Sequence, residues 1–362
     1  MATRKNLKGL ILCAGLGTRM RPITYTMVKP LIPVANKPVI HYAIEAMKAS
    51  GIVEVGIVVG ETGPAVKAAL GNGKAWGMKF EYIPQENPRG LAHAVLCAEE
   101  FMGGDPFMMY LGDNLIEGGV PELAARFRKG ASNATILLKP VAEPRHFGVA
   151  EVGKGNAIIS LEEKPAKPKS NLAITGIYCF DKNIFTAAKS IKPSARGELE
   201  ITDAIAWLLH NGLKVDCHIV TGWWHDTGQK KDMLAASRSL LGGYKKKDIK
   251  GKVDADSVVE GPVVIEKGAK VIASRITGPA LIGRNAVVER SVIGPYTTID
   301  AGAQVTGSEI EDSILLENAR VADLPGKLVR SLVGRDAYIG GGEARPREIA
   351  VMVSEKSSVE IF

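Results

Sequence analysis

From residue 252 onward the helical periodicity disappears, and an aliphatic residue returns about every sixth position. The runs are "VVIEKGAKV", "ALIGRNAVVERSVIGPYTTIDAGAQV" and "SLVGRDAYI", and Gly often follows the aliphatic residue, with Asn, Ala or Gly next. A strand that short cannot bury its side chain alone. It must stack that side chain over the coil beneath, as a parallel β-helix does. An irregular sandwich has no reason to keep so even a beat.

The first 240 or so residues follow a different rule. Short apolar runs ("LKGLILCAG", "VEVGIVVG", "FMMYLGDN", "ATILLKPV", "AITGIYCFD", "KVDCHIVTG") alternate with helical patterns ("PVIHYAIEAMKASG", "PELAARFRKG", "ITDAIAWLLHNG"). That alternation predicts an α/β domain with a Rossmann-like mixed, mostly parallel sheet and helices on both faces. At 362 residues, two domains are the natural expectation. The boundaries fall at 1–242 for the α/β domain, 243–251 for a linker and 252–362 for the β-helix with its tail. The Lys-rich run at 245–250 then reads as a solvated hinge.

Composition narrows the partners. The formal charge of +7 suggests an anionic ligand, but the basic residues are scattered and the one dense run is "YKKKDIKGK", which argues against nucleic acid. Cys13, Cys97, Cys179 and Cys217 form no CxxC pair, as expected of small apolar residues in a reducing compartment. No apolar run approaches a membrane span or a signal peptide, so the expected location is cytoplasmic, away from membranes.

The stretch "LCAGLGTRMRPITYTMVKPLIPVANKP" places a Gly-rich turn after a strand but lacks the third small residue of a dinucleotide fingerprint and has no Walker A lysine. Its cations are the informative part. Turn amides at Gly15 and Gly17 form a concavity for anions, Arg19 adds a guanidinium fork, and Lys29, held between prolines, adds a point charge. Such a loop can surround a triphosphate without a helix dipole.

These residues, followed in order by "EYIPQENPRGLAHAV", "MMYLGDN", "RHFGVAEV", "LEEKPAKPKSNLAITGIYCFD", "RGELEITDAI" and "GWWHDTG", resemble the motifs of the sugar-1-phosphate nucleotidyltransferases over nearly the whole chain. The thymidylyl-transferring subgroup with a C-terminal β-helix is the nearest pattern, and the ending "ARPREIAVMVSEKSSVEI" matches its tail. The resemblance implies Mg²⁺-dependent in-line transfer of a nucleotidyl group from dTTP, or from UTP, to glucose-1-phosphate, with loss of pyrophosphate. Pro30 in "KPL" and Ala14 in place of a second glycine depart from the thymidylyl pattern and leave dTTP and UTP both open.

Carried over residue by residue, the resemblance assigns Asp113 and Asp226 to the Mg²⁺ ion, since carboxylate oxygens completed by phosphate and water suit that cation. Ala14, Gly15, Gly17, Thr18, Arg19 and Lys29 would surround the triphosphate. Gln85 and Gly90 would receive the pyrimidine, Gly90 by leaving room for the base. Lys164 and Arg196 would grip the sugar phosphate, Glu163 and Gly148 would read sugar hydroxyls, Gly176 would close the pocket, and Trp224 would wall it beside Asp226. Two rivals are weaker. A sensor without catalysis would be expected to lose part of the Arg19, Lys29, Asp113, Lys164 and Asp226 set. An acetyltransferase β-helix needs a histidine base, and no histidine follows His225. The β-helix, left-handed as the resemblance implies, is therefore expected to be structural, oligomerising or regulatory, and the chain to be a homo-oligomer.

Overall fold

A computed structural model describes residues 7–341, so the tail motif lies outside the described residues. Contacts gather the chain into two units. The first holds the residues up to Leu16, Val28–Leu31 and Val39–Asp226; the second holds Gly17–Met27, Ile32–Pro38 and the residues from Thr227 onward.

The first unit is built on a nine-stranded mixed sheet. Its strands begin with β1 (Lys8–Leu12), β2 (Glu54–Val59), β3 (Lys79–Pro84) and β4 (Phe107–Leu111). A short β5 (Asn114–Ile116) leaves the sheet. The sheet continues with β6 (Ala134–Pro140), β7 (Gly148–Val152), β8 (Ile158–Glu163), β9 (Leu172–Phe180) and β10 (Val215–Ile219). The spatial order is β8-β7-β9-β4-β1-β2-β3, with β6 beside β9 and β10 beside β6. The four strands β4-β1-β2-β3 are mutually parallel, whereas β9 runs antiparallel to β4, β6 and β7.

Side chains alternate across this sheet with the strand period of two. Leu10 and Leu12 pack on one face with residues of α3 (Leu91–Cys97), α5 (Asn183–Ser190) and α6 (Ile201–His210). Ile11 packs on the other with α1 (Val39–Ala49), α2 (Gly63–Leu70) and α4 (Val120–Lys129). The chain steps outward from β1 to β2 and β3, then returns to β4 on the opposite side of β1. That reversal opens a crevice beyond the carboxyl ends of β1 and β4, where open α/β sheets receive ligands.

The second unit contains α7 (Lys230–Gly242) and three parallel sheets of six, six and five short strands, the faces of a parallel β-helix. Aliphatic residues from all three faces, including Val263, Val271, Ile276, Ile282, Val288 and Ile293, fill its interior. The first strand, Asp248–Ile249, already pairs with Val264 and Ile265, so the coil begins inside the segment 243–251 expected to be a linker. Helix α7 groups with the β-helix because Arg238 makes an ion pair with Asp312, and Asn36 joins the same unit by donating to the Ile299 carbonyl at 2.9 Å.

The repeat varies between 16 and 18 positions: Lys252 pairs with Lys270 and Glu309 with Lys327, each 18 on, but other coils are shorter than three sixes. Val263 pairs with Ala280, 17 positions on, and Val292 with Glu309, again 17 on, while Thr298 pairs with Ile314 after 16 and Gln304 with Arg320 after 16. One corner explains the regular coils. Ser257, Ser274, Ser291 and Ser308 stack above one another, each accepting the backbone N–H of the next serine at 3.0–3.1 Å. The hydroxyls of Ser274, Ser291 and Ser308 donate in turn to the carbonyl two residues back. Removing the middle hydroxyl, Ser291→Ala, leaves the buried N–H of Ser308 without its acceptor. It should cost about 1–3 kcal/mol, read as a lower thermal midpoint.

Candidate active site

The crevice takes shape at the strand ends. Beyond β1 the backbone stays in register for one more residue, with the Cys13 N–H on the Val58 carbonyl at 2.8 Å, and then turns away through buried Ala14 and exposed Gly15. Gly60, at the end of β2, permits that turn, since a Cβ there would lie 2.9 Å from the Ala14 carbonyl oxygen. Beyond β4, Gly112 fits against the Cys13 thiol, where a Cβ would lie at 2.6 Å, and Asp113 follows.

Lys29 sits on a single 3-10 turn, Lys29–Leu31, and its ammonium makes an ion pair with Asp113 Oδ2. The other carboxylate oxygen of Asp113 accepts from the Asn114 side-chain amide at 3.0 Å. The Asn114 carbonyl oxygen accepts from Trp224 Nε1 at 2.6 Å. Burial pushes the Asp113 carboxyl up. The Lys29 charge and the hydrogen bonds from Lys29 and Asn114 outweigh that, holding it below the usual carboxylate range.

Asp226 arrives on β11 (Trp224–Asp226), which pairs antiparallel with β5. Its register partner is Asn114, so the two carboxylates stem from positions one residue apart across the ribbon. A carboxylate in the turn just before β5, already paired with a cation, and one on β11 form a hard-oxygen donor set that fits a divalent ion completed by phosphate and water.

Gln85 follows β3 directly. It is 4% exposed, with its N–H on the Val59 carbonyl. Its side-chain amide meets His93 Nδ1 at 2.9 Å and the Gly90 carbonyl at 3.5 Å. Gly90 has φ +102°, and a Cβ would lie 2.5 Å from the Leu199 carbonyl oxygen. The close approach of the 197–200 segment therefore requires a glycine here. Two backbone bonds fasten that approach, Leu199 N–H to Arg89 O at 2.7 Å and Ala92 N–H to Leu199 O at 3.0 Å. Gly90→Ala should part these two loops and cost about 3 kcal/mol or more, seen as a lower thermal midpoint.

A second polar cluster surrounds Glu163 at the end of β8. One of its oxygens accepts from the Thr202 hydroxyl at 2.8 Å, and the other faces Arg196 at 3.4 Å and Lys164 at 3.7 Å. Arg196 is held more closely by buried Glu200 at 2.8 Å, which also accepts from Ser194. Lys164 has φ +45°, a left-handed conformation that costs a non-glycine residue energy. A Cβ at Gly148 would lie 3.1 Å from Glu163 Oε2, so the glycine gives this carboxylate its space. Gly176 (φ +80°) sits in an irregularity of β9 where a Cβ would meet Leu111 at 2.6 Å; it serves a close packing contact. Trp224 packs edge-on to Phe147 at 4.9 Å. Asp203 lies in the first turn of α6.

In the second unit, Gly17 (φ +62°) opens a single 3-10 turn, Thr18–Met20, where sequence reading predicted loop without helix. The Thr24 hydroxyl closes the turn on the Gly17 carbonyl at 2.9 Å, and buried Met20 anchors it. Thr18 and Arg19 are exposed, and the Arg19 guanidinium lies against Gly228, where a Cβ would be 3.1 Å away.

Sequence reasoning missed Asn114, His93, Glu200, Thr202 and Gly228. Each lies beside a recognised motif residue; the partners of Asn114, Thr202 and Gly228 are distant in sequence, whereas Glu200 and His93 meet residues four and eight positions away. Among the described residues no helix is long and apolar enough to cross a membrane, and Cys13, Cys97, Cys179 and Cys217 are free thiols.

The chain is similar to known proteins. The pattern that defines the nucleotidyl transferase family matches residues 8–242. A glucose-1-phosphate thymidylyltransferase of Streptomyces griseus is 43% identical over 355 residues, covering 98% of this chain and 99% of that protein. A low-salt glycan biosynthesis nucleotidyltransferase of Haloferax volcanii is 40% identical over 98% of this chain and 100% of its own. Among solved structures, a UDP-glucose pyrophosphorylase complexed with UDP-glucose superposes with a TM-score of 0.60 at 27% identity, covering 66% of this chain and 99% of that one.

Proposed function

Because the chain belongs to the nucleotidyl transferase family, we propose that it transfers the thymidylyl group of dTTP to glucose-1-phosphate, releasing pyrophosphate. The observation that carries this reading is the Lys29–Asp113–Asn114–Trp224 chain of contacts at the β1/β4 crevice, with Asp226 across the ribbon from Asn114.

An oxygen of the sugar phosphate attacks the α-phosphorus, the bond to the α,β-bridging oxygen breaks, and pyrophosphate leaves with the electron pair. Such transfer asks the protein mainly for position and charge. Lys164 and Arg196 hold the sugar phosphate, and Glu163 accepts from sugar hydroxyls. Thr202 and Glu200 keep Glu163 and Arg196 oriented. Lys29 supplies positive charge to the α-phosphate, and Arg19 is assigned the β- and γ-phosphates on its motif alone. Asp113 and Asp226 would hold a divalent cation, Mg²⁺ on the chemistry of the donor set, which when bound neutralises charge on the phosphate oxygens. Gln85 receives the pyrimidine. UTP is the second nucleotide, because a pocket rejects one methyl group by only ~10–200-fold. The chain is further proposed to act as a homo-oligomer, which sedimentation velocity reads directly.

Purified full-length protein tested for pyrophosphate release with dTTP, UTP, CTP, ATP and GTP against several sugar-1-phosphates decides the matter. Highest kcat/KM for dTTP with glucose-1-phosphate is expected. Preference for UTP would replace the thymidylyl reading with a uridylyl one, and no release from any pair would favour a sensor.

A further inference from the structure

The Gln85 amide is held in one orientation. Its nitrogen faces the Gly90 carbonyl, which can only accept, so the NH₂ end and not the oxygen points there. The same nitrogen meets His93 Nδ1 at 2.9 Å, so Nδ1 accepts and the ring proton is on Nε2. Both amide protons are thereby engaged within the protein, and Oε1 accepts no hydrogen bond among the described residues. Burial, with the Arg89 charge adding to it, holds His93 below the usual imidazole range, which keeps Nδ1 an acceptor at neutral pH.

We propose that His93 is a positioning residue for nucleotide choice: by consuming the Gln85 NH₂ it leaves only a carbonyl oxygen to meet the base, which selects pyrimidines carrying an imide N3–H and rejects cytosine. Thymine and uracil offer that donor. Cytosine presents a bare N3, which would face the oxygen acceptor to acceptor. The inference rests on the reading that Gln85 receives the base, and it adds the group that makes its amide selective. Without an acceptor at position 93 the amide can rotate, and either end can face the base.

The test measures kcat/KM for dTTP and for dCTP, with glucose-1-phosphate, in wild type, His93→Leu, His93→Gln and Gln85→Leu. The dTTP/dCTP ratio is read on one preparation, so a partly unfolded variant does not distort it. His93→Leu should lower the ratio by about tenfold or more, the size of one polar contact, through KM rather than kcat. His93→Gln, which keeps an acceptor, should restore most of it. A ratio unchanged in His93→Leu but lost in Gln85→Leu would overturn the role of His93 and leave the base pocket standing. A ratio unchanged in both would remove Gln85 from the base pocket and the proposal with it.

Discussion

Replacing Asp113 or Asp226 with Asn is expected to lower kcat by about 10²-fold or more while circular dichroism still shows the wild-type fold. Each change keeps the shape of the side chain and deletes one negative charge. Loss of a single preorganised group that stabilises transition-state charge has effects of about 10²–10³. The two variants should be alike because the carboxylates are fastened to one ribbon, through the Asp226–Asn114 register and the Asn114–Asp113 bond. Normal turnover in either would show that the reaction does not run over this pair.

The second large effect belongs to Lys29→Ala. Removing one partner of a poorly exposed ion pair leaves the other charge uncompensated. Lys29 is 10% and Asp113 26% exposed at the side chain. A loss of about 2–4 kcal/mol follows, with a fall in kcat of about 10² from the missing charge. The pH dependence should change sign. In the wild type the Asp113 carboxyl is held below its unfolded value, so the contribution of the pair is fully present above about pH 4 and disappears as pH falls through the lowered value. Without Lys29, burial dominates and raises the same carboxyl. The variant should then lose stability as pH rises through that raised value. Urea titrations between pH 3 and 7 separate the two behaviours.

The sequence revealed the elements more fully than the contacts between them. The strand at 8–12, the turn beyond it, Asp113 after an apolar run and the change of rule in the last third all follow from local patterns. What escaped notice joins distant segments. The Asn114–Trp224 bond spans 110 positions and exists only because a three-residue ribbon forms outside the main sheet. Nothing local shows that Leu199 approaches Gly90. The serine ladder was visible at 257, 274, 291 and 308, but a beat of six hides a period of 17. His93 is a half-buried residue on an ordinary helix until Gln85 is placed beside it.

The most direct measurement is a crystal of the full chain grown with a non-hydrolysable dTTP analogue and Mn²⁺, read by anomalous scattering at the manganese edge. The account predicts one strong peak bonded to carboxylate oxygens of both Asp113 and Asp226, with the triphosphate against Lys29. A peak away from both carboxylates, with the nucleotide bound elsewhere, would contradict it.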